Sequence, residues 1–147
     1  MINEILDFLD WNDGLGLNTR TESVDKPTIR AIVKETVRYC TETFGVNNRR
    51  GKEFKVSIRK QTSGDAFYGE YDYLNNTLII YHNNCGRIKD LVKTTIHEYT
   101  HYMQPVRTSY HKLLERYGYE KHPMEIEARE NENYYYRKAW KQLKQTI

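Results

Sequence analysis

The pentapeptide His97-Glu98-Tyr99-Thr100-His101 constrains the architecture of this chain more than any other stretch of its sequence. Apolar side chains recur before it at helical spacing, so a helix is expected from about residue 87 to residue 104. Two histidines four residues apart lie one turn apart on a helix, where both imidazoles can reach one ion at about 2.0–2.1 Å. They face roughly away from the apolar stripe, which suits a metal site in a cleft but also suits two ordinary exposed histidines on a solvated face. The helical context and the third ligand expected below favour the metal site.

Glu98 lies next to this histidine pair but off their common line. Its carboxylate can therefore stay out of the coordination sphere and accept a proton from a water molecule, which makes Glu98 the predicted catalytic residue. The metal expected for such a motif is Zn²⁺, which takes three protein ligands in catalytic sites and leaves a fourth position open. Arg107 stands where the metzincin extension of this motif requires histidine, so that subclass is excluded.

The third ligand is expected in the segment that follows His122-Pro123, where a long C-terminal helix begins. Two carboxylates there compete for the role, Glu125 and Glu127. The spacing places Glu125 on the inward stripe of this helix, where an unpaired carboxylate is costly to bury. We therefore rank Glu125 first and Glu127 second, although either is also explained as a first-turn glutamate favoured by the helix dipole.

The periodicity of apolar residues in the rest of the chain predicts an α+β domain spanning residues 1–147, in which a small antiparallel sheet packs against helices. Helices are expected at 3–10, from about 25 to 44 and at 109–117, and strands at 53–60, 66–73 and 77–82. Asn75-Asn76 separates the last two strands and favours a tight hairpin, since asparagine tolerates positive φ.

Composition limits the class of protein further. No apolar stretch approaches the roughly 20 residues that span a bilayer, and the N-terminus lacks the pattern of a secretory signal, so a soluble cytoplasmic protein is expected. The two cysteines, Cys40 and Cys85, are expected to be free thiols. A formal net charge of +3 is small for a dedicated nucleic-acid binder, and the basic run from Arg49 to Lys60 is interpreted mainly as a solvated surface.

The order of strand, hairpin, His-Glu-x-x-His helix and Pro-x-Glu-x-Glu-Ala helix resembles the minimal gluzincin-type metallopeptidases, including the ImmA/IrrE-like family and small phage-encoded relatives. The resemblance implies a zincin-like fold and zinc-dependent hydrolysis of a protein or peptide substrate. It implies that His97, His101 and Glu125 are the metal ligands and that Glu98 is the catalytic base. It further implies that the strand 77–82 runs along the cleft and pairs with an extended substrate.

The sequence also allows other hypotheses about the metal site and the function. His111 or His122 as a third ligand would give a histidine-only site similar to the SprT-like proteases, which act near DNA. Zinc could instead be structural, in a non-catalytic interaction or virion protein, and the basic run could serve a nucleic-acid-associated module. One tyrosine is expected to stabilise the oxyanion formed during hydrolysis, and four are candidates: Tyr102, Tyr110, Tyr117 and Tyr119. The substrate and the oligomeric state do not follow from the sequence.

Overall fold

The computed structural model of the chain describes residues 15–105 and 107–146. The helix expected at residues 3–10 lies outside this part of the chain. Within it the fold is mixed α/β, with four α-helices and one three-stranded sheet. None of these helices is long and apolar enough to cross a membrane.

Helix α1 spans Lys26–Phe44 and confirms the first clear helix expected from the sequence. Asp25 caps it by accepting a hydrogen bond from the backbone nitrogen of Thr28 at 3.0 Å. The helix ends at Gly45, whose φ of 85° is easily reached only by glycine. Its inward face is buried in the core, and Cys40 on that face is a free thiol, as is Cys85 elsewhere in the core.

The sheet consists of β1 (Lys55–Arg59), β2 (Gly69–Asp72) and β3 (Thr77–Tyr81) in the order β1-β3-β2. The hairpin is confirmed: β2 and β3 are antiparallel, and Asn76 in the turn has a φ of 48°. The expectation of a fully antiparallel sheet is wrong, because β1 pairs with β3 in parallel. The hairpin places β2 on one edge of β3, so β1 occupies the other edge. There it runs in the same direction as β3.

Three further helices complete the described fold: α2 (Ile88–Met103), α3 (Arg107–Tyr117) and α4 (Pro123–Leu143). Helix α2 contacts α1, α4, β2 and β3, and most of its side chains are buried. Tyr99, in the middle of the motif, is fully buried in the core. The motif helix is therefore the central element of the fold and holds its two histidines in fixed positions.

Gly69, the first residue of β2, allows this strand to lie close to α2. A Cβ atom at this position would stand 2.6 Å from the carbonyl oxygen of Ile79 and 2.8 Å from Cγ2 of Thr94. Both distances are below van der Waals contact, so only glycine fits without movement of the backbone. This close approach sets β2 beside the motif helix.

Candidate metal centre

The motif histidines come from α2, and the carboxylate that faces them comes from the first turn of α4. His122 fixes the start of α4, because its Nδ1 accepts a hydrogen bond from the backbone nitrogen of Met124 at 3.1 Å. Its Nε2 donates to the carbonyl oxygen of Tyr110 at 2.8 Å, and the ring is fully buried. This cap directs Glu125, in the first turn, toward the motif helix.

Three side chains meet at this point: His97, His101 and Glu125, the glutamate ranked first from the sequence. Nε2 of His97 lies 3.0 Å from Oε1 of Glu125, and Nε2 of His101 lies 3.2 Å from the same oxygen. Within the described residues, this is the one group of three or more His, Cys, Asp or Glu side chains whose ligand atoms all lie within 4.8 Å of one another. Glu125 is only 4% exposed, so its carboxylate is largely shielded from bulk water.

The second ring nitrogen of each histidine has its own acceptor. Nδ1 of His97 donates to Oε1 of Glu132 at 2.8 Å, and Nδ1 of His101 donates to Oε1 of Gln104 at 2.7 Å. Hydrogen bonds of this kind fix the ring orientation and direct Nε2 toward the common centre. The sequence pattern indicated no role for Gln104 or Glu132, although Glu132 shares the inward stripe with Glu125.

The charges of the group perturb one another strongly. Burial opposes protonation of His97, but hydrogen bonds to Glu125 and Glu132 outweigh it and raise the pKa of His97 to about 10. Burial likewise opposes ionisation of Glu125, yet its hydrogen bonds to both histidines hold its pKa well below the usual range. In Glu98 burial dominates and raises the pKa, while His101 and His97 act in the opposite direction.

The donor set fits a zinc ion in chemistry and in spacing. Two imidazole nitrogens and one carboxylate oxygen form a standard catalytic ligand set for zinc. Ligand atoms about 2.0–2.1 Å from a tetrahedral ion stand about 3.3 Å apart. The separations of 3.0 Å and 3.2 Å between the imidazole nitrogens and Glu125 are close to that value.

The group opens into a cleft of about 430 Å³. Strand β2 and the residues next to it line one side, and α3 and the start of α4 line the other. Glu98 also lines the cleft, although it is only 8% exposed. Its carboxylate therefore lies close to the histidines without belonging to the three-residue group.

Of the four tyrosines considered at the sequence level, Tyr110 lies nearest the group. Its hydroxyl donates to Oε2 of Glu125 at 2.6 Å. Tyr102 is buried and its hydroxyl accepts from the backbone nitrogen of Asn47, while Tyr119 lines the cleft but is 54% exposed. Tyr117 is exposed and is not among the residues that line the cleft.

The three alternative ligands named from the sequence are not part of the group. Glu127, the second choice, accepts a hydrogen bond at 2.6 Å from Nε2 of Gln104. His111 lines the cleft without joining the group, and His122 is occupied as the cap of α4.

The strand that lies along the cleft is not the one expected from the sequence. The segment 77–82 contains β3, which is central and fully buried, so the expectation that it pairs with a substrate is wrong. The hairpin places β2 between β3 and the cleft, and β2 is the edge strand there.

Arg50, from the basic run, has a structural partner at the end of the motif helix. Its Nη2 donates to the carbonyl oxygens of His101, Tyr102 and Gln104 at 2.9–3.1 Å. A cation bound to the last carbonyls of a helix stabilises its C-terminus. This arginine therefore fixes the end of α2, a role that the charge pattern alone did not indicate.

No protein-family profile, no curated protein and no solved structure matches this chain. The resemblance to gluzincin-type peptidases thus depends on the motif residues themselves. Any function assigned to the chain has to follow from the chemistry of the cleft.

Proposed function

We propose that this protein is a zinc-dependent metallopeptidase with a zincin-like fold, in which His97, His101 and Glu125 hold the ion. The observation that carries the proposal is the convergence of two Nε2 atoms and a buried carboxylate at 3.0–3.2 Å, beside a second buried glutamate in a cleft. Zinc bound there would polarise a substrate carbonyl and lower the pKa of a water molecule.

Glu98 is the proposed general base. Burial raises the pKa of its carboxyl above the ordinary range, so it binds a proton more readily than an exposed glutamate does. It accepts the proton of the attacking water and then donates it to the leaving nitrogen of the peptide bond. Its position beside the three-residue group, and outside it, suits this transfer.

Tyr110 is the proposed donor to the oxygen that becomes negative during the reaction. Its hydroxyl already lies 2.6 Å from Oε2 of Glu125 and lines the same cleft. A tilted ring contact with His122, with ring centroids 4.0 Å apart, holds the phenol ring in place. A hydroxyl held in advance near developing negative charge stabilises the transition state more than the ground state.

An extended peptide is the substrate class that the cleft favours. Strand β2 is an edge of the sheet at the cleft, and an edge strand offers unpaired backbone groups to an extended chain. A peptide aligned along Gly69–Asp72 would bring its backbone past Glu98 and the histidines. This favours a peptidase over a hydrolase of compact small molecules.

The test is peptide hydrolysis by the wild type and by Glu98→Gln, with a diverse peptide mixture analysed by mass spectrometry. We expect the wild type to cleave and the variant to bind zinc with turnover reduced at least 100-fold, as is typical for loss of a general base. Glu130→Gln, at an exposed glutamate of α4, is the matched control and should remain active. Full activity of Glu98→Gln would exclude the assigned base. Stable zinc with no cleavage in the wild type would instead favour a structural ion.

A further inference from the structure

Gln104 connects the metal-binding group to the outer face of α4. It is only 7% exposed and follows the last residue of α2. Its backbone is fixed by the guanidinium of Arg50, which donates to the Gln104 carbonyl oxygen at 2.9 Å. Its side-chain amide contacts three different groups, and their chemistry determines the orientation of the amide.

A glutamine amide has two N–H donors on Nε2 and one acceptor oxygen. Nε2 of Gln104 lies 2.9 Å from the carbonyl oxygen of Met124 and 2.6 Å from Oε1 of Glu127. Both partners are acceptors only, so both N–H groups of the amide are used. A reversed amide would place its oxygen against two other oxygens and lose two hydrogen bonds.

This orientation leaves Oε1 of Gln104 facing Nδ1 of His101 at 2.7 Å. An amide oxygen can only accept, so Nδ1 of His101 must carry a proton. The neutral ring then has its lone pair on Nε2, the nitrogen directed at Glu125. Without this restraint the neutral ring could place its proton on Nε2 and lose the capacity to bind a cation there.

We propose that Gln104 and Glu127 are a positioning pair that sets the tautomer of His101 and thereby its affinity for the ion. Glu127 acts through Gln104: its carboxylate fixes the amide, and the amide fixes the imidazole. The carboxylate considered as an alternative ligand thus contributes to the site two hydrogen bonds away from the ion. The inference about zinc affinity depends on the proposed function, whereas the inference about the tautomer does not.

The chain offers matched variants for the test. Gln104→Leu removes the acceptor for His101, Glu127→Leu removes one acceptor for the amide, and Glu127→Gln keeps an oxygen in its place. Glu130→Leu and Gln142→Leu make the same substitutions at exposed positions of α4 and serve as controls. Thermal unfolding of each variant shows whether it is still folded, so that a change in zinc affinity is not confused with unfolding.

Two readouts are needed. Zinc affinity, measured by competition with a chelator, should fall about 10- to 100-fold in Gln104→Leu and by a smaller factor in Glu127→Leu. Affinity should recover in Glu127→Gln and stay unchanged in both controls. In protein labelled with ¹⁵N-histidine, the exchange-protected Nδ1–H signal of His101 should be present in the wild type, with or without zinc, and lost in Gln104→Leu.

The outcomes separate the two proposals. If the wild type binds no zinc, the proposed function fails, and the Nδ1–H signal still decides the role of the pair. If the wild type binds zinc and folded Gln104→Leu keeps both its affinity and the Nδ1–H signal, the positioning role is wrong. Should Gln104→Leu fail to fold, equal zinc affinity in Glu127→Leu and Glu127→Gln would overturn the proposal.

Discussion

Replacing Gly69 with alanine tests the close approach between β2 and the motif helix. The added Cβ would stand 2.6 Å from the carbonyl oxygen of Ile79, which belongs to the central strand and cannot rotate away. It would also stand 2.8 Å from Cγ2 of Thr94 on α2. Ordinary contact begins near 3.4 Å, so β2 has to move by about 0.6 to 0.8 Å.

Movement of this size in a packed region costs about 1–3 kcal/mol. For a domain of this length, about 1 kcal/mol corresponds to roughly 4 °C in Tm, so the clash by itself should lower the Tm of Gly69→Ala by about 4 to 12 °C. Alanine also reduces the entropy of the unfolded chain, which stabilises a compatible site by about 0.4–1 kcal/mol. The measured loss of unfolding free energy is therefore the cost of the clash minus this entropic stabilisation.

Gly51→Ala is the matched control, because a Cβ at Gly51 meets no atom within 4 Å. We expect its stability to change by no more than about 0.5 kcal/mol in either direction, apart from the unfolded-state gain. Urea and thermal unfolding followed by circular dichroism measure both variants. Equal stability of Gly69→Ala and Gly51→Ala would refute the argument that β2 requires glycine to lie beside α2.

Two further predictions follow from individual side chains. Tyr110→Phe should retain zinc and lower kcat on a cleaved peptide about 100-fold, because it loses the proposed oxyanion donor; unchanged kcat in steady-state assays would remove Tyr110 from that role. Burial raises the pKa of the Cys85 thiol to about 12, and burial also raises the pKa of the Cys40 thiol well above its ordinary value. Both thiols should resist a thiol reagent until urea unfolds the protein. Because the unfolded thiols ionise first, stability should fall as the pH rises from about 9 toward 12. Rapid labelling of the native protein, or stability that is constant over this range, would contradict the burial.

The helices followed closely from the sequence because their signals are local. Asp25 and Pro27 mark the start of α1, and His122-Pro123 marks the start of α4. Helical periodicity also placed Glu125 on the buried side of α4, which is where it meets the histidines. Each of these features depends on residues within a few turns of one another.

The pairing of β1 was missed because alternation along a strand shows which face is buried but not which neighbour the strand has. A signal was present in β3, whose sequence Thr-Leu-Ile-Ile-Tyr is apolar on both faces, as in a central strand. The roles of Gln104, Glu132 and Arg50 depend on how separate elements meet. No local pattern predicts such contacts.

The central claim is that His97, His101 and Glu125 bind one zinc ion, and elemental analysis tests it most directly. The protein should be purified without added metal or a histidine tag, as wild type and as His101→Ala, Glu125→Ala and Glu127→Ala. We expect about one zinc per chain in the wild type, loss of zinc in His101→Ala and Glu125→Ala, and retention in Glu127→Ala with weaker binding. Absence of zinc from the wild type, with no uptake when zinc is added, would contradict the claim.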